Sequence, residues 1–414
     1  MVHSPPTRRW RYLLMSAFAV AVFGHGIAVL PARGWQPPPA SQFGDPLPGL
    51  TRAQYRQFVD GKAAFVEVHS EETGLGPVFN GNSCRQCHLS PATGGGSLFR
   101  AIRIGATVNG VFDPLLRSGG PTIQKFGANG LFGFEYFGEV IPPDATIIAE
   151  RRTNPLFGLG LVDAVTDEFL EKLAQKQREA TPRVAGRTNR VRDLKTGQWA
   201  VGRFGWKASR ATLLDFSAEA YKDELGITVP GYVADEDGRL VSEENPPQGQ
   251  LELLKFNLVN SPNLDSDLNV RRFRDFMTLL APPPPLPLTD EARRGQSIFQ
   301  SIGCSQCHTP ALQTGPNAVA ALNRATFQPY SDFLLHDMGS LGDGIEQGRA
   351  TGREMRTAPL WGLRELPSFL HDGRATTVDE AIRFHDGQAR DAVERYLKLP
   401  PQDELALVAF LLSL

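Results

Sequence analysis

The chain has little sulfur and little histidine. Its 414 residues include four cysteines, five methionines and eight histidines, so each candidate metal or redox ligand can be weighed individually. Positive charge is not in surplus: the formal net charge is -2, which gives no basic footing for nucleic acid, and no nucleic-acid partner is expected. Beyond the N-terminus no apolar run approaches the ~20 residues that span a bilayer. A hydrophobic content of 41% and a charged content of 21% describe an ordinary soluble protein. Plentiful instead are Gly (41) and Pro (32), which point to much loop between ordered elements. The length suffices for two or three domains, each with its own core.

The N-terminus reads as an export signal. Arg8, Arg9 and Arg11 precede an apolar stretch from Tyr12 to about Leu30, and a Pro/Gly-rich segment follows. Charge, apolar core and polar segment in that order mark a secretory signal, here residues 1–34. Gly26, Ala28, Ala32 and Gly34 offer cleavage points. The alternative is a single uncleaved anchor, the only way this chain would meet a membrane. His25 and the nearby glycines favour cleavage, so the expected location is the periplasm.

The cysteines form two pairs, Cys84/Cys87 and Cys304/Cys307, each followed at once by a histidine, in CRQCH and CSQCH. Two thiols at this spacing add to the vinyl groups of one haem, and the adjoining His88 or His308 ligates its iron. A zinc ribbon would set the pairs ~15–20 residues apart, whereas Cys87 and Cys304 are 217 positions apart. Disulfides would not explain a histidine after both pairs, and no βαβ pattern supports a thioredoxin-like pair. The expected cofactors are two covalently bound haem c groups.

The stretches before the two motifs resemble one another, which reads as an internal repeat. Leu288–Thr289–Asp290 opens a helix with Thr289 as N-cap, and Ala292, Gly295, Phe299 and Ile302 recur at helical spacing. Leu50–Thr51 opens another, with Tyr55, Phe58, Phe65 and Gly61, and a longer loop from Gly74 to Asn82 leads to Cys84. A final helix follows the acidic turn Asp403–Glu404, with Leu405, Val408, Ala409 and Leu412 as its apolar stripe. Residues 281–288, with four consecutive prolines, read as a stiff linker. The expected fold is mainly α: two cytochrome c-like haem domains, 35–280 and 289–414, the first enlarged by insertions and long loops and the expected seat of catalysis.

Sixth ligands decide which iron is closed. Beyond the signal the histidines are His69, His88, His308, His336, His371 and His385, and the methionines Met277, Met338 and Met355. Thr377 with Glu380 forms a capping box; Val378, Ala381, Ile382 and His385 follow on one helical face, and Gly387 ends the helix. His385 is therefore the candidate partner of the second iron. The first iron has no comparable candidate downstream; His69 is the nearest, on a loop or helix end. The aromatic run Leu131–Phe137 could roof an open pocket there or be core.

Arg356–Thr357–Ala358–Pro359–Leu360–Trp361–Gly362, Phe369–Leu370–His371–Asp372–Gly373 and the TxxEAI helix closed by His385 resemble segments of the bacterial di-haem peroxidase superfamily. The nearest likeness is its di-haem oxidoreductase branch, sometimes labelled thiol oxidoreductases. The stretch from Gly74–Leu75–Gly76–Pro77 through Cys84, with Pro155–Leu161 and Gly202–Ala208, resembles the same branch, so the likeness covers nearly the whole mature chain. It implies a bis-His iron held by His308 and His385, with His371 a supporting residue near that haem and Met355 no ligand. His336–Asp337–Met338–Gly339 also matches a family segment. It further implies a Trp between the haems and an acid over the reactive iron. Trp206 and Glu224 fall in those registers, although Phe204–Gly205–Trp206–Lys207–Ala208 departs from the family's motif and Asp223 is an alternative acid.

The function so implied is a peroxidase-type oxidoreductase. A small oxidant such as hydrogen peroxide, or oxygen, reacts at the His88 haem while Glu224 moves a proton. The second haem, fed by a redox protein or other electron donor, delivers electrons through Trp206. The rivals are a di-haem electron carrier without catalysis, an oxygenase or a protein-modifying oxidase. A thiol-based activity draws no support, because haem attachment uses all four cysteines.

Overall fold

The computed structural model describes residues 42–128, 137–241 and 267–414. The signal segment 1–34 and residues 131–136 of the aromatic run lie outside the described residues. Gln36–Leu414 forms one compact unit, and it is mostly helical. In chain order the helices are α1 (Arg52–Val66), α2 (Cys84–Cys87), α3 (Leu159–Asp163), α4 (Asp167–Ala180), α5 (Leu213–Leu225), α6 (Leu268–Leu279), α7 (Asp290–Ser301), α8 (Val378–Arg383), α9 (Arg390–Tyr396) and α10 (Pro401–Ser413).

Two crossed helix pairs set the frame. Thr51 caps α1 in a capping box with Gln54, and Thr289 caps α7 by accepting from the Ala292 N–H, which satisfies donors the first helical turn leaves open. Helix α1 crosses α6 at Gly61, where a Cβ would stand 2.5 Å from the Arg272 carbonyl oxygen. Helix α7 crosses α10 at Gly295, where a Cβ would stand 1.9 Å from the Ala406 oxygen. Only glycine permits backbones this close. The repeat seen in the sequence thus has a structural counterpart: each helix before a Cys-x-x-Cys-His segment meets a later helix at a glycine.

The sequence reading did not foresee α6, whose Val270, Phe273, Phe276 and Met277 bury one stripe. It also chose the wrong face of α10. Leu405 is 63% exposed, while Ala406, Leu407, Phe410 and Leu411 are buried. The helix is apolar nearly all round, so periodicity could not select a side. The close approach of Ala406 to Gly295 selects it instead.

Strands supply the remaining framework, all in antiparallel pairs. They are β1 (Val78–Phe79), β2 (Arg100–Val108), β3 (Val111–Asp113), β4 (Thr122–Ile123), β5 (Phe126–Gly127), β6 (Ile147–Arg152), β7 (Asn189–Arg192), β8 (Trp199–Gly202), β9 (Leu312–Gln313), β10 (Thr326–Phe327), β11 (Leu335–Asp337) and β12 (Glu354–Arg356). Strand β2 pairs with β3, β4 and β6. Asn109 and Gly110, both at positive φ, turn β2 into β3 as a two-residue hairpin loop requires. The β2–β6 register, Arg103 opposite Ala149 and Arg100 opposite Arg152, carries Arg151 and Arg152 inward at the end of β6.

One core gathers Phe58, Phe65, Phe273 and Phe276 with Leu156 and Phe157; a second gathers Phe299, Tyr330, Tyr396, Leu407 and Phe410. Each fully buried Phe stabilises by roughly 1.5–3 kcal/mol. Leu312, Leu322, Phe327, Phe333 and Trp361 of the C-terminal half join the first core. The proline run is extended and held along its length: Leu286 N–H donates to Ser413 (2.7 Å), and Arg364 donates to the Pro284 oxygen (2.8 Å).

Candidate functional site

The two Cys-x-x-Cys-His segments line two different cavities, so the four thiols do not converge on one site. None is in a disulfide. Burial pushes the Cys84, Cys87 and Cys304 thiols up to about 12. They are neutral groups in apolar walls, not surface thiolates.

In the first cavity, of about 170 Å³, Cys84, Cys87 and His88 face Phe65, Phe273, Phe216, Tyr221 and Glu224. His88 follows the single turn of α2, and its Nδ1 lies 3.0 Å from the Gly95 carbonyl oxygen. A carbonyl only accepts, so Nδ1 carries the hydrogen and Nε2 is the unprotonated nitrogen, the arrangement of a metal-binding histidine. Burial lowers the imidazole to about 4, which keeps it neutral. Helix α5 forms the opposite wall, with Phe216, Ala220 and Glu224 four residues apart on one face. Among the described residues lining this cavity His88 is the sole histidine. His69 is not among them; its ring packs against Tyr221 at 5.5 Å.

Two neighbouring acids end α5 in opposite states. Asp223 receives Arg239 through both carboxylate oxygens (2.8 and 2.9 Å) and lies 3.2 Å from Arg103. Although burial opposes ionisation, those guanidinium groups hold it far below the usual carboxylate range. Glu224 has no such partner. Burial and the neighbouring Asp223 charge push its carboxyl up to about 7, against the pull of Arg103 and a hydrogen bond from Asn80. Asn80 Nδ2 donates to Glu224 Oε2 at 2.9 Å, and Asn80 Oδ1 accepts from the Lys125 N–H at 3.1 Å, which fixes which way the amide points. Of the two acids, Glu224 is the one able to exchange a proton near neutrality.

The second cavity is larger, about 490 Å³, and contains Cys304, Cys307, His308, His371 and His385. Val378, Ala381, Ile382 and His385 all line it, the face that helical spacing groups together. The helix itself stops earlier than expected, at Arg383, and His385 stands just past it with Nδ1 2.7 Å from the Ala381 oxygen. His308 is tied likewise, Nδ1 to the Tyr330 oxygen at 2.9 Å. Burial lowers both imidazoles, leaving two neutral Nε2 lone pairs. Their ring centroids are 6.4 Å apart. Metal–imidazole bonds of about 2.0–2.1 Å, with roughly 1 Å more from each nitrogen to its ring centre, would separate the rings by about 6 Å. The pair is spaced as two ligands of one metal ion. His336 also lines this cavity, but its Nε2 meets Asp332 Oδ2 at 3.0 Å, which commits that nitrogen to a carboxylate.

Trp206 and Arg152 line both cavities. The indole Nε1 donates to the Arg152 carbonyl at 3.1 Å, the Trp206 carbonyl accepts from the Arg356 N–H at 2.8 Å, and the indole meets the His371 ring edge-on at 6.2 Å. Both halves of the chain therefore fix this side chain. Sequence reasoning missed Asn80, Arg103 and Arg152, none of which has a motif of its own; Arg356 opens a family-like segment but was given no role. Only the pairing of β6 with β2 and of β12 with β11 brings Arg152 and Arg356 inward.

The donor sets suit haem c. Each cavity offers two thiols outside any disulfide beside an imidazole whose Nδ1 is held by a backbone carbonyl, and the second offers a further imidazole at metal-bridging distance. No curated protein sequence matches the chain. Among solved structures, hydrazine synthase of Kuenenia stuttgartiensis aligns at 13% identity over 96% of this chain and 100% of that one, with a TM-score of 0.35. A variant of the diheme peroxidase BthA from Burkholderia thailandensis aligns at 15% identity over 72% and 93%, with a TM-score of 0.29. Likenesses this faint carry no argument. The profile described as "Di-haem oxidoreductase, putative peroxidase" matches residues 140–241 and 276–414. The match takes in Trp206, Glu224, Cys304–His308, His371 and His385, with Cys84–His88 lying ahead of it. It covers more than half of the sequence, and the chain belongs to the di-haem oxidoreductase family.

Proposed function

We propose that the protein is an exported di-haem c-type cytochrome of the periplasm, working as a peroxidase-type oxidoreductase. Cys84, Cys87 and His88 would hold one haem; Cys304, Cys307, His308 and His385 would hold the other. The first would supply redox chemistry toward a small oxidant such as hydrogen peroxide, and the second a store of electrons from a donor protein. The pairing of histidines supports this reading: His308 and His385 lie 6.4 Å apart in the second cavity, whereas His88 is the one histidine among the described residues lining the first.

The chain's own residues then have separable tasks. Glu224, with Oε2 held by Asn80, uses its other oxygen to take a proton from one peroxide oxygen and return it to the leaving one. Burial, helped by Asp223, which Arg103 and Arg239 keep ionised, raises the Glu224 carboxyl into the range where it can do both. Phe216 and Tyr221 line the same wall and exclude water. Trp206, shared by both cavities, is the relay for two electrons that, with two protons, reduce peroxide to two waters. Stopped-flow mixing of the reduced protein with hydrogen peroxide tests this. Second-order oxidation at two electrons per peroxide is expected; oxidation independent of peroxide concentration would leave only an electron carrier.

A further inference from the structure

Six arginines line the two cavities, and four of them differ in how they are satisfied. Arg103 pairs with Asp223 at 3.2 Å, and Arg151 pairs with Asp343 at 2.7 Å. Arg356 donates to the carbonyls of Gly205 (2.7 Å) and Thr357 (2.9 Å). Arg152 is the least satisfied. It is 7% exposed, its Nε donates to the Leu370 oxygen at 2.9 Å, and its Nη1 is buried with no partner among the described residues. Its guanidinium lies over the Trp206 ring at 5.9 Å.

A buried guanidinium facing no carboxylate is strongly unfavourable, because the attraction that should offset its desolvation is missing. Burial alone pushes it down to about 10, still far above neutral pH, so the cation persists. The remedy is an anion supplied by something that fills a cavity. Haem brings one: its propionates are carboxylates, and the planar N–H fork of arginine matches a carboxylate edge.

We propose that Arg152 anchors a haem propionate at the wall between the two cavities, through its unpartnered Nη1 edge. This rests on the two-haem reading. A fixed cation there also favours the reduced iron, so Arg152 sets a reduction potential as well as a position.

The test is spectroelectrochemical titration of the holoprotein with Arg152→Leu and Arg152→Lys variants. In Arg152→Leu at least one haem should become about tenfold harder to reduce, 59 mV for one electron. A shift confined to one haem, or shared by both, identifies whose propionate is held, and each supports the anchor. Arg152→Lys should recover most of the shift. Unchanged potentials in Arg152→Leu with both haems attached would overturn the proposal, and so would equal shifts in the Leu and Lys variants, which would mark a packing role. If Arg152→Leu is not recovered, Arg152→Gln takes its place with the same outcomes. The haem count of the unsubstituted protein is a separate readout: fewer than two per chain would fail the two-haem reading itself.

Discussion

Replacing Glu224 by Gln tests the proton-transfer chemistry with little change of shape. The amide keeps an oxygen for Asn80 to donate to, but cannot carry a proton between two atoms. In the parent protein, burial and Asp223 move this carboxyl from 4.5 to about 7, which disfavours the anion by about 3 kcal/mol relative to water. The anion is the form that accepts the first proton. The rate constant with peroxide should therefore rise through neutrality to a plateau, and fall about tenfold per pH unit on the acid side. Glu224→Gln should cost 10²–10⁴-fold in that constant, about 3–5 kcal/mol of barrier, and abolish the acid limb. Linkage gives a second reading of the same shift. An acid raised on folding binds more protons folded than unfolded, so its contribution is intact below 4.5 and is lost as pH rises to about 7. The Gln variant should thus gain thermal stability over the parent above neutral pH. A rate constant within threefold of the parent, with the acid limb intact, would refute this role.

His385→Gly removes one of two rings 6.4 Å apart and should convert the second haem from low to high spin, read by absorption in the visible region. Trp206→Phe keeps an aromatic ring but loses the hydrogen bond to Arg152; electron transfer between the haems should slow at least tenfold while both haem spectra stay unchanged, as flash-reduction kinetics would register. Gly295→Ala sets a methyl 1.9 Å from the Ala406 oxygen. Forcing α7 and α10 apart should cost about 1–3 kcal/mol, more than the ~1 kcal/mol that helix propensity returns, and thermal unfolding followed by circular dichroism should show a lower midpoint.

Much of this was legible in the chain because a few residues report on chemistry that nothing else explains. The thiol pairs with their histidines, the Thr51, Thr289 and Thr377 caps, and the spacing that groups His385 with Val378, Ala381 and Ile382 are all local signals. What escaped depends on distant packing. The buried face of α10 is set by a glycine more than a hundred residues earlier. Helix α6 follows residues that carried no readable pattern, and its role emerges only at its crossing with α1. Arg152 looks like any charged strand end until β6 pairs with β2 and turns it inward. Asp223 and Glu224 are adjacent acids in the sequence, and only the arginines around Asp223 tell them apart.

Low-temperature EPR of the fully ferric protein, before and after hydrogen peroxide, bears most directly on the difference between the two cavities. A first iron with one histidine and a second with two predict a high-spin and a low-spin signal side by side, with the high-spin one altered by peroxide. Two low-spin signals, indifferent to peroxide, would contradict an open first site.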